Sequence, residues 1–225
     1  MRFIDSHCHL DFSEFDENRD ALIDACQNAG IAHFVVPGIS LAQSTQLLCF
    51  SKSYPSVSIA LGLHPYFLSQ HQPHHLSELE QLAKTHANEL VAIGECGLDR
   101  SIDNLDKQIA LFEGQIELAN QLALPLIVHH RQSHDLIARS FKRCKPKYPR
   151  AEKTRQVISN IAPQHLVLET DAPSMPLAGS QGQINTPLKI REVFTHLCEL
   201  KGVSGTEKQL LADALYDSCS ALFLI

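Results

Sequence analysis

Short apolar runs recur along this chain, and a stretch of helical periodicity separates most of them. The runs are Phe3-Ile4, His33 to Pro37, Val57 to Leu63, Leu90 to Ile93, Leu126 to Val128 and His165 to Leu168. Between them, Asp16 to Ala29, Leu41 to Ser51, Leu76 to Ala87, Leu105 to Leu122 and Ser133 to Arg143 carry helical spacing. In the strongest of these, Ile109, Phe112, Ile116 and Ala119 share one face. Gly30 is a good helix stop and Ser40 a plausible N-cap. Uninterrupted apolar strands are covered on both faces, and their alternation with helices means an α/β fold built on a parallel sheet. Two further helices are expected at Pro187 to Leu200 and Glu207 to Leu222, with Asn185 or Thr186 as cap. Neither a low-complexity segment nor a linker interrupts residues 1–225, so a single domain is expected.

The runs end in polar residues with ligand chemistry. In Phe3-Ile4-Asp5-Ser6-His7-Cys8-His9, strand alternation puts Asp5, His7 and His9 on one side and Ser6 and Cys8 on the other. Two imidazoles at i and i+2 can clasp one divalent ion. With 13 histidines in the chain, a pair bonded to nearby loops is the plain alternative. His64 ends another run, as a turn residue or a substrate contact. Glu95, bracketed by Gly94 and Gly97, needs a partner if buried: a cation, or an ion pair with Arg100 or Arg131. Of His129 and His130 only one can face a neighbouring ligand. Asp171 closes the last run. His71, His74 and His75 lack carboxylates and regular spacing, which reads as a solvated loop.

His9, His64, Glu95, His129 and Asp171 all lie at or just past strand C-termini, and a parallel barrel gathers such residues at its top. An open doubly wound sheet would carry a glycine-rich phosphate loop after the first strand, where this chain has His-Cys-His. The expected architecture is therefore a TIM-type (β/α) barrel. Six strands are countable, and a barrel needs eight. The rhythm breaks near Lys147 and Tyr148, where one helix leads straight into another helical pattern, Ala151 to Ile161.

Composition narrows the function. A net charge of −6 argues against a surface built to grip nucleic acid through positive charge, though not against a site that holds phosphates through cations. No apolar run is long enough to span a bilayer, and no secretory segment opens the chain. Seven cysteines, an odd number with no C-x-x-C pair, suit a reducing cytoplasm better than a disulfide framework. Cys26, Cys49, Cys144, Cys198 and Cys219 read as packing residues. Cys8 and Cys96 should face away from the candidate site.

Several motifs in combination resemble the TatD family of metal-dependent hydrolases, the TatD-type deoxyribonucleases, and within it the shorter YjjV-like branch. They are Asp5-Ser6-His7-Cys8-His9, Gly62-Leu63-His64-Pro65, Gly94-Glu95-Cys96-Gly97-Leu98-Asp99, Leu124-Pro125 through His129 to Arg131, and Glu169-Thr170-Asp171-Ala172-Pro173. The resemblance implies two divalent ions per subunit. His7 and His9 would hold one, Glu95 would bridge both, His129 would bind the second, and Asp171 would complete the first and accept the proton of the attacking water. Glu95 and Asp171 would thus be the catalytic carboxylates. Paired ions lower the pKa of a shared water and stabilise charge on a phosphoryl group. His64 and Arg131 could hold phosphate oxygens. Donors of this kind accept Zn, Mn, Ni or Mg.

One family element is missing: a further histidine, in a His-x-Phe-Ser-Gly strand end, is expected after the His129 helix. A strand, a helix and another strand are absent at the same junction where the rhythm breaks. Either residues between Pro146 and Tyr148 are lacking only from the sequence as written, or the natural protein is a shortened variant. The first is favoured, because deleting two interior strands leaves unpaired backbone, costing several kcal/mol in total at roughly 1–3 each. An intact mass separates the two.

Three functions follow in order. The first is a metal-dependent phosphodiesterase, a deoxyribonuclease acting on DNA ends or other single-stranded nucleic acid. The second is a metallohydrolase of a small-molecule ester, lactone or amide. The third is a shortened, catalytically impaired metal-binding or scaffold protein. The expected setting is cytoplasmic and monomeric, with no membrane contact and no obligate protein partner.

Overall fold

The computed structural model describes residues 1–144 and 161–225. The Lys147/Tyr148 junction and all but the last residue of the helix expected over Ala151 to Ile161 lie outside them. The chain forms two compact units, Met1–Val36 with Ala151–Ile225, and Pro37–Arg150.

In the first unit, β1 (Phe3–Asp5) pairs in parallel with β2 (Ile31–Pro37), Phe3 opposite Ile31 and Asp5 opposite Phe34. Helix α1 (Arg19–Asn28) connects them. It starts later than the sequence suggests because Arg19 is drawn back: its Nε donates to the Leu10 carbonyl at 2.6 Å and its Nη2 to that of Phe12 at 2.9 Å. Phe3 packs on Phe194, ring centroids 5.1 Å apart. Two C-terminal helices complete the unit, Ile190–Lys201 and Glu207–Phe223 (α6 and α7 in chain order), and Phe15, Phe34, Phe194, Leu215 and Phe223 are buried.

The second unit holds β3 (Val57–Leu61), β4 (Leu90–Asp99) and β5 (Leu126–Arg131), parallel and paired in that order. Its helices are α2 (Leu41–Ser53), α3 (His75–Thr85), α4 (Leu105–Leu122) and α5 (His134–Cys144). Ser40 caps α2, its hydroxyl accepting from the Gln43 amide at 3.3 Å. Cys96 and Leu98 point from β4 into a core with Phe112 and Ile116 of α4 and Ile137 of α5. That places Cys96 opposite Glu95, as alternation requires.

Three expectations are corrected. Residues 165–171 are not a strand, so the described residues hold five strands rather than six. The segment still runs beside the end of β1: the Ser6 amide donates to the Leu168 carbonyl at 2.9 Å and the Asp171 amide to that of His7 at 3.0 Å. Between these bonds the Asp5 carboxylate takes the Thr170 amide at 3.0 Å, so a side chain interrupts the ladder. Next, the loop after His64 is solvated only in part: Ser69, Gln70, Gln72, Pro73 and His74 are exposed, but His71 turns inward. Pro65–Gln70 forms a 3-10 turn, and His71 is only 2% exposed. Finally, Cys49 is exposed rather than packed, on the outer side of α2.

Candidate metal centre

Each unit carries its own set of donors. In the first, His7 and His9 are buried and turn toward each other, Nε2 to Nε2 at 3.4 Å. Asp171 Oδ1 lies 3.5 Å from the His7 nitrogen and 3.8 Å from that of His9. Two backbone bonds fix this triangle, Asp171 N–H to the His7 carbonyl at 3.0 Å and His9 N–H to the Ala172 carbonyl at 2.6 Å. Asp171 itself sits in the left-handed region, φ 56°. His9 stacks on Phe12 with centroids 4.7 Å apart.

Asp5 is expected to share a side with His7 and His9, yet it serves the backbone. Its Oδ2 accepts from the Thr170 hydroxyl at 2.5 Å, and its Oδ1 accepts from the His7 amide at 3.3 Å. Burial pushes the Asp5 carboxyl up to about 7, against the pull of the Thr170 hydroxyl and the His7 and Thr170 amides.

In the second unit, Glu95 Oε1 sits between two rings, 3.2 Å from His64 Nε2 and 3.3 Å from His129 Nδ1. The sequence alternatives of Arg100 and Arg131 are not its partners here; Arg100 bonds Asp135 at 3.0 Å and the Gln132 carbonyl at 2.7 Å. Arg131 is exposed at the end of β5. Gly94 and Gly97, at φ 132° and 140°, let β5 come close, since a Cβ on Gly97 would run into the His129 carbonyl. Of the adjacent histidines, His129 faces Glu95, while the exposed His130 pairs with His134 at 2.9 Å.

The hydrogen bonds assign the rings. His64 Nδ1 accepts from the Tyr66 amide at 3.0 Å, so in the neutral ring the proton sits on Nε2 and is donated to Glu95. One cation could reach His64, Glu95 and His129 together by distance, but an Nε2–H offers no lone pair. His64 is a donor, and Glu95 with His129 Nδ1 remain as candidate ligands in this unit. The far nitrogen of His129 faces Asp99 Oδ2 at 3.1 Å, the arrangement in which a carboxylate orients a ligating imidazole. Burial lowers the His129 pKa, but the Glu95 and Asp99 carboxylates outweigh it and hold it above its ordinary value. Burial likewise pushes Asp99 up, but the Ser101 hydroxyl and amide and His129 hold it below the usual carboxylate value.

Sequence reasoning gave no role to Asp99, Gln108 or Gln115. Gln115 takes the place of a ladder partner beyond β3, accepting from the Leu63 amide at 2.8 Å and donating to the Leu63 carbonyl at 3.2 Å. Gln108 does the same for Asp99, at 2.9 and 3.1 Å. Both are buried on α4, one turn-pair apart, so they set the residue beside His64 and the backbone of Asp99. Their signal was present: two glutamines, seven residues apart, on the apolar side of an amphipathic helix.

The donor chemistry fits a divalent ion. A tetrahedral zinc site with legs of about 2.0–2.2 Å has donor-to-donor edges of roughly 3.3–3.6 Å. The His7–His9 and His7–Asp171 edges of 3.4 and 3.5 Å fall in that range, and the His9–Asp171 edge of 3.8 Å closes to it with a small shift of the carboxylate.

Parallel strands ending in histidines and carboxylates define the TIM-type α/β class of metal-dependent hydrolases, and the comparisons agree. The family model for TatD-related DNases matches residues 4–148 and 145–223. The chain belongs to this TatD family of metal-dependent hydrolases. YjjV of Escherichia coli, named an uncharacterized metal-dependent hydrolase, is 35% identical, with 99% of this chain and 98% of the relative aligned. The crystal structure of YjjV superposes with a TM-score of 0.90 at 34% identity, covering 100% of this chain and 98% of the other. A TatD-family hydrolase from Entamoeba histolytica shares the fold, with a TM-score of 0.80 at 15% identity over 99% and 98% of the two chains. The 3'-5' ssDNA/RNA exonuclease TatD of Erwinia billingiae is 33% identical over 56% of this chain and 49% of its own. The family match divides at residues 145–148, the junction where the strand rhythm breaks. The YjjV alignment runs over 256 positions against a chain of 225, so the relative carries residues absent here.

Proposed function

We propose that the protein is a divalent-metal-dependent phosphodiesterase acting on DNA ends or other single-stranded nucleic acid. The observation that carries the reading is the His7–His9–Asp171 triangle, three converging donors with the edges of an open metal site. Similarity to the Erwinia exonuclease over part of the chain supports the substrate class.

In this reading His7, His9 and Asp171 hold one ion, and Glu95 and His129 serve a second. Zn, Mn and Mg all suit such donors. When bound, the ions supply Lewis acidity to the phosphoryl group and make water nucleophilic near neutral pH. Asp171 takes the proton released in the attack. His64, proton on Nε2, turns from Glu95 to a phosphate oxygen once Glu95 serves the ion, and Arg131 offers a bidentate charge at the rim. The two-residue tie between His64 Nδ1 and the Tyr66 amide keeps that donor in one tautomer through the cycle. The expected setting is a monomer in the cytoplasm; no helix among the described residues is long and apolar enough to cross a membrane.

A second reading is favoured by YjjV, which matches the whole chain and is named only for metal-dependent hydrolysis: a small-molecule ester, lactone or amide as substrate. One panel separates the readings. Metal-loaded protein is assayed on single-stranded and duplex oligonucleotides and on aryl esters, lactones and amides, with and without chelator. Chelator-sensitive release of nucleotides is expected. Turnover of esters or lactones alone moves the assignment to the second reading. No turnover with one ion or fewer per chain indicates an impaired metal-binding protein.

A further inference from the structure

Beyond the metal donors, a row of rings leads from the second unit's cluster to solvent. His129 and His64 meet with centroids 4.3 Å apart. His64 meets Phe67 edge-on at 5.9 Å, and Phe67 meets Tyr66 at 5.4 Å and 78°. Tyr66 stands at the outer end, 58% exposed. A single exposed aromatic ring on a protein surface needs no explanation. Tyr66 differs because its own amide fixes the His64 ring at 3.0 Å, and because Pro65 and the Phe67 kink (φ −96°, ψ 20°) hold the turn that displays it. The backbone at residue 66 is therefore tied to His64 in two ways, and its ring rests edge-on against Phe67.

We propose that Tyr66 is a specificity-determining residue: a stacking platform for an unpaired nucleobase next to the phosphate that His64 contacts. The inference rests on the nuclease reading above and deepens it. A planar base stacks on an aromatic face whatever its sequence, and it is free to do so only in a single strand. The platform thus selects single-stranded over duplex ends without a basic groove, in keeping with a net charge of −6. His64 supplies the phosphate contact and Tyr66 the base contact, one nucleotide apart in function.

The test compares Tyr66→Ala and Tyr66→Phe with the parent, each metal-loaded. Substrates are a single-stranded oligonucleotide and the same oligonucleotide with an abasic residue at its 3' end. Tyr66→Ala should raise KM for the base-bearing substrate about tenfold, the lower part of the range expected for one lost stack, with kcat nearly unchanged. KM for the abasic substrate should not move, and Tyr66→Phe should behave as the parent. A second readout uses 2-aminopurine at the terminal position of a phosphorothioate-protected strand, whose fluorescence is quenched by stacking; Tyr66→Ala should abolish the quench. If the parent cleaves nucleic acid and Tyr66→Ala changes neither KM nor quench, the platform is wrong and the nuclease reading stands. If the parent cleaves only esters or lactones, the nuclease reading is wrong and the quench alone decides. A quench in the parent that Tyr66→Ala removes keeps the platform; no quench in the parent overturns it.

Discussion

The two donor sets arrange their polar atoms differently. In the first unit, two imidazole nitrogens and a carboxylate oxygen face one another at 3.4 to 3.8 Å, so three atoms of ligand type converge on a common point. In the second, Glu95 already receives a hydrogen bond from His64, and His129 is held between two carboxylates. A cation held by the first set would sit among donors that already converge, whereas one held by the second must displace the His64–Glu95 hydrogen bond. Binding should therefore be unequal, one tight ion with the His7–His9–Asp171 set and a weaker one with Glu95 and His129.

The largest effect expected from this asymmetry is that of His9→Ala. Losing a primary ligand should cost more than the ten- to hundredfold typical of an orienting residue, so activity should fall by more than about a hundredfold. Elemental analysis of dialysed protein should show the tight ion gone. A variant that keeps its full metal content and turnover would remove the first set from the site.

Asp99→Asn comes next and acts on the other set. Asp99 is buried, orients His129 through Nε2, and is itself anchored by the Ser101 amide at 2.8 Å and hydroxyl at 2.6 Å. Removing its charge should weaken the looser ion roughly ten- to a hundredfold. Metal titration followed by calorimetry should show the tight step intact. Loss of both steps together would mean that the two sets do not bind independently, and the comparison would have to be abandoned.

His71→Leu tests the scaffold rather than the ligands. His71 Nε2 donates to the His64 carbonyl at 2.9 Å from a buried position, and Lys107 Nζ holds the His71 carbonyl at 2.7 Å. Leaving the His64 carbonyl without this donor should cost about 1–3 kcal/mol. Urea unfolding measures it, and His71→Gln, which keeps an N–H donor, should recover part of the loss. Equal stability of both variants with the parent would show that the turn after β3 holds itself.

How much of this was legible in the sequence follows from the kind of signal each residue carries. The run Leu90 to Ile93 and the face Ile109, Phe112, Ile116 and Ala119 announce a strand and a helix because burial imposes a period. Ser40 announces a cap because hydroxyl chemistry at that position is local. Residues 165–171 read as a strand because Leu166 to Leu168 is apolar, yet the Asp5 side chain occupies a ladder position; no pattern within the segment could show that. The neighbours of His71, namely Ser69, Gln70, Gln72 and Pro73, are polar or turn-forming and point to solvent, whereas its ring folds back onto the His64 carbonyl and Lys107, far along the chain, holds its backbone. The His64 tautomer depends on an amide two residues away in a turn whose geometry Pro65 hints at but does not fix.

The smallest effect separates the thiols. Burial pushes Cys8 and Cys96 well above the ordinary thiol value, and both lie beside donor residues. Burial likewise raises Cys26 and Cys219, each to about 12. A thiol reacts as its thiolate, so these four should be inert at neutral pH. Cys49 is exposed and should take up iodoacetamide first, with no change in metal content or turnover, since α2 carries no donor of either set. Peptide mapping after brief labelling checks the order. Early modification of Cys8 or Cys96 in folded protein would mean that the strand ends next to His7 and Glu95 open in solution. The rigid triangle would then be a feature of the ion-loaded state rather than of the fold alone.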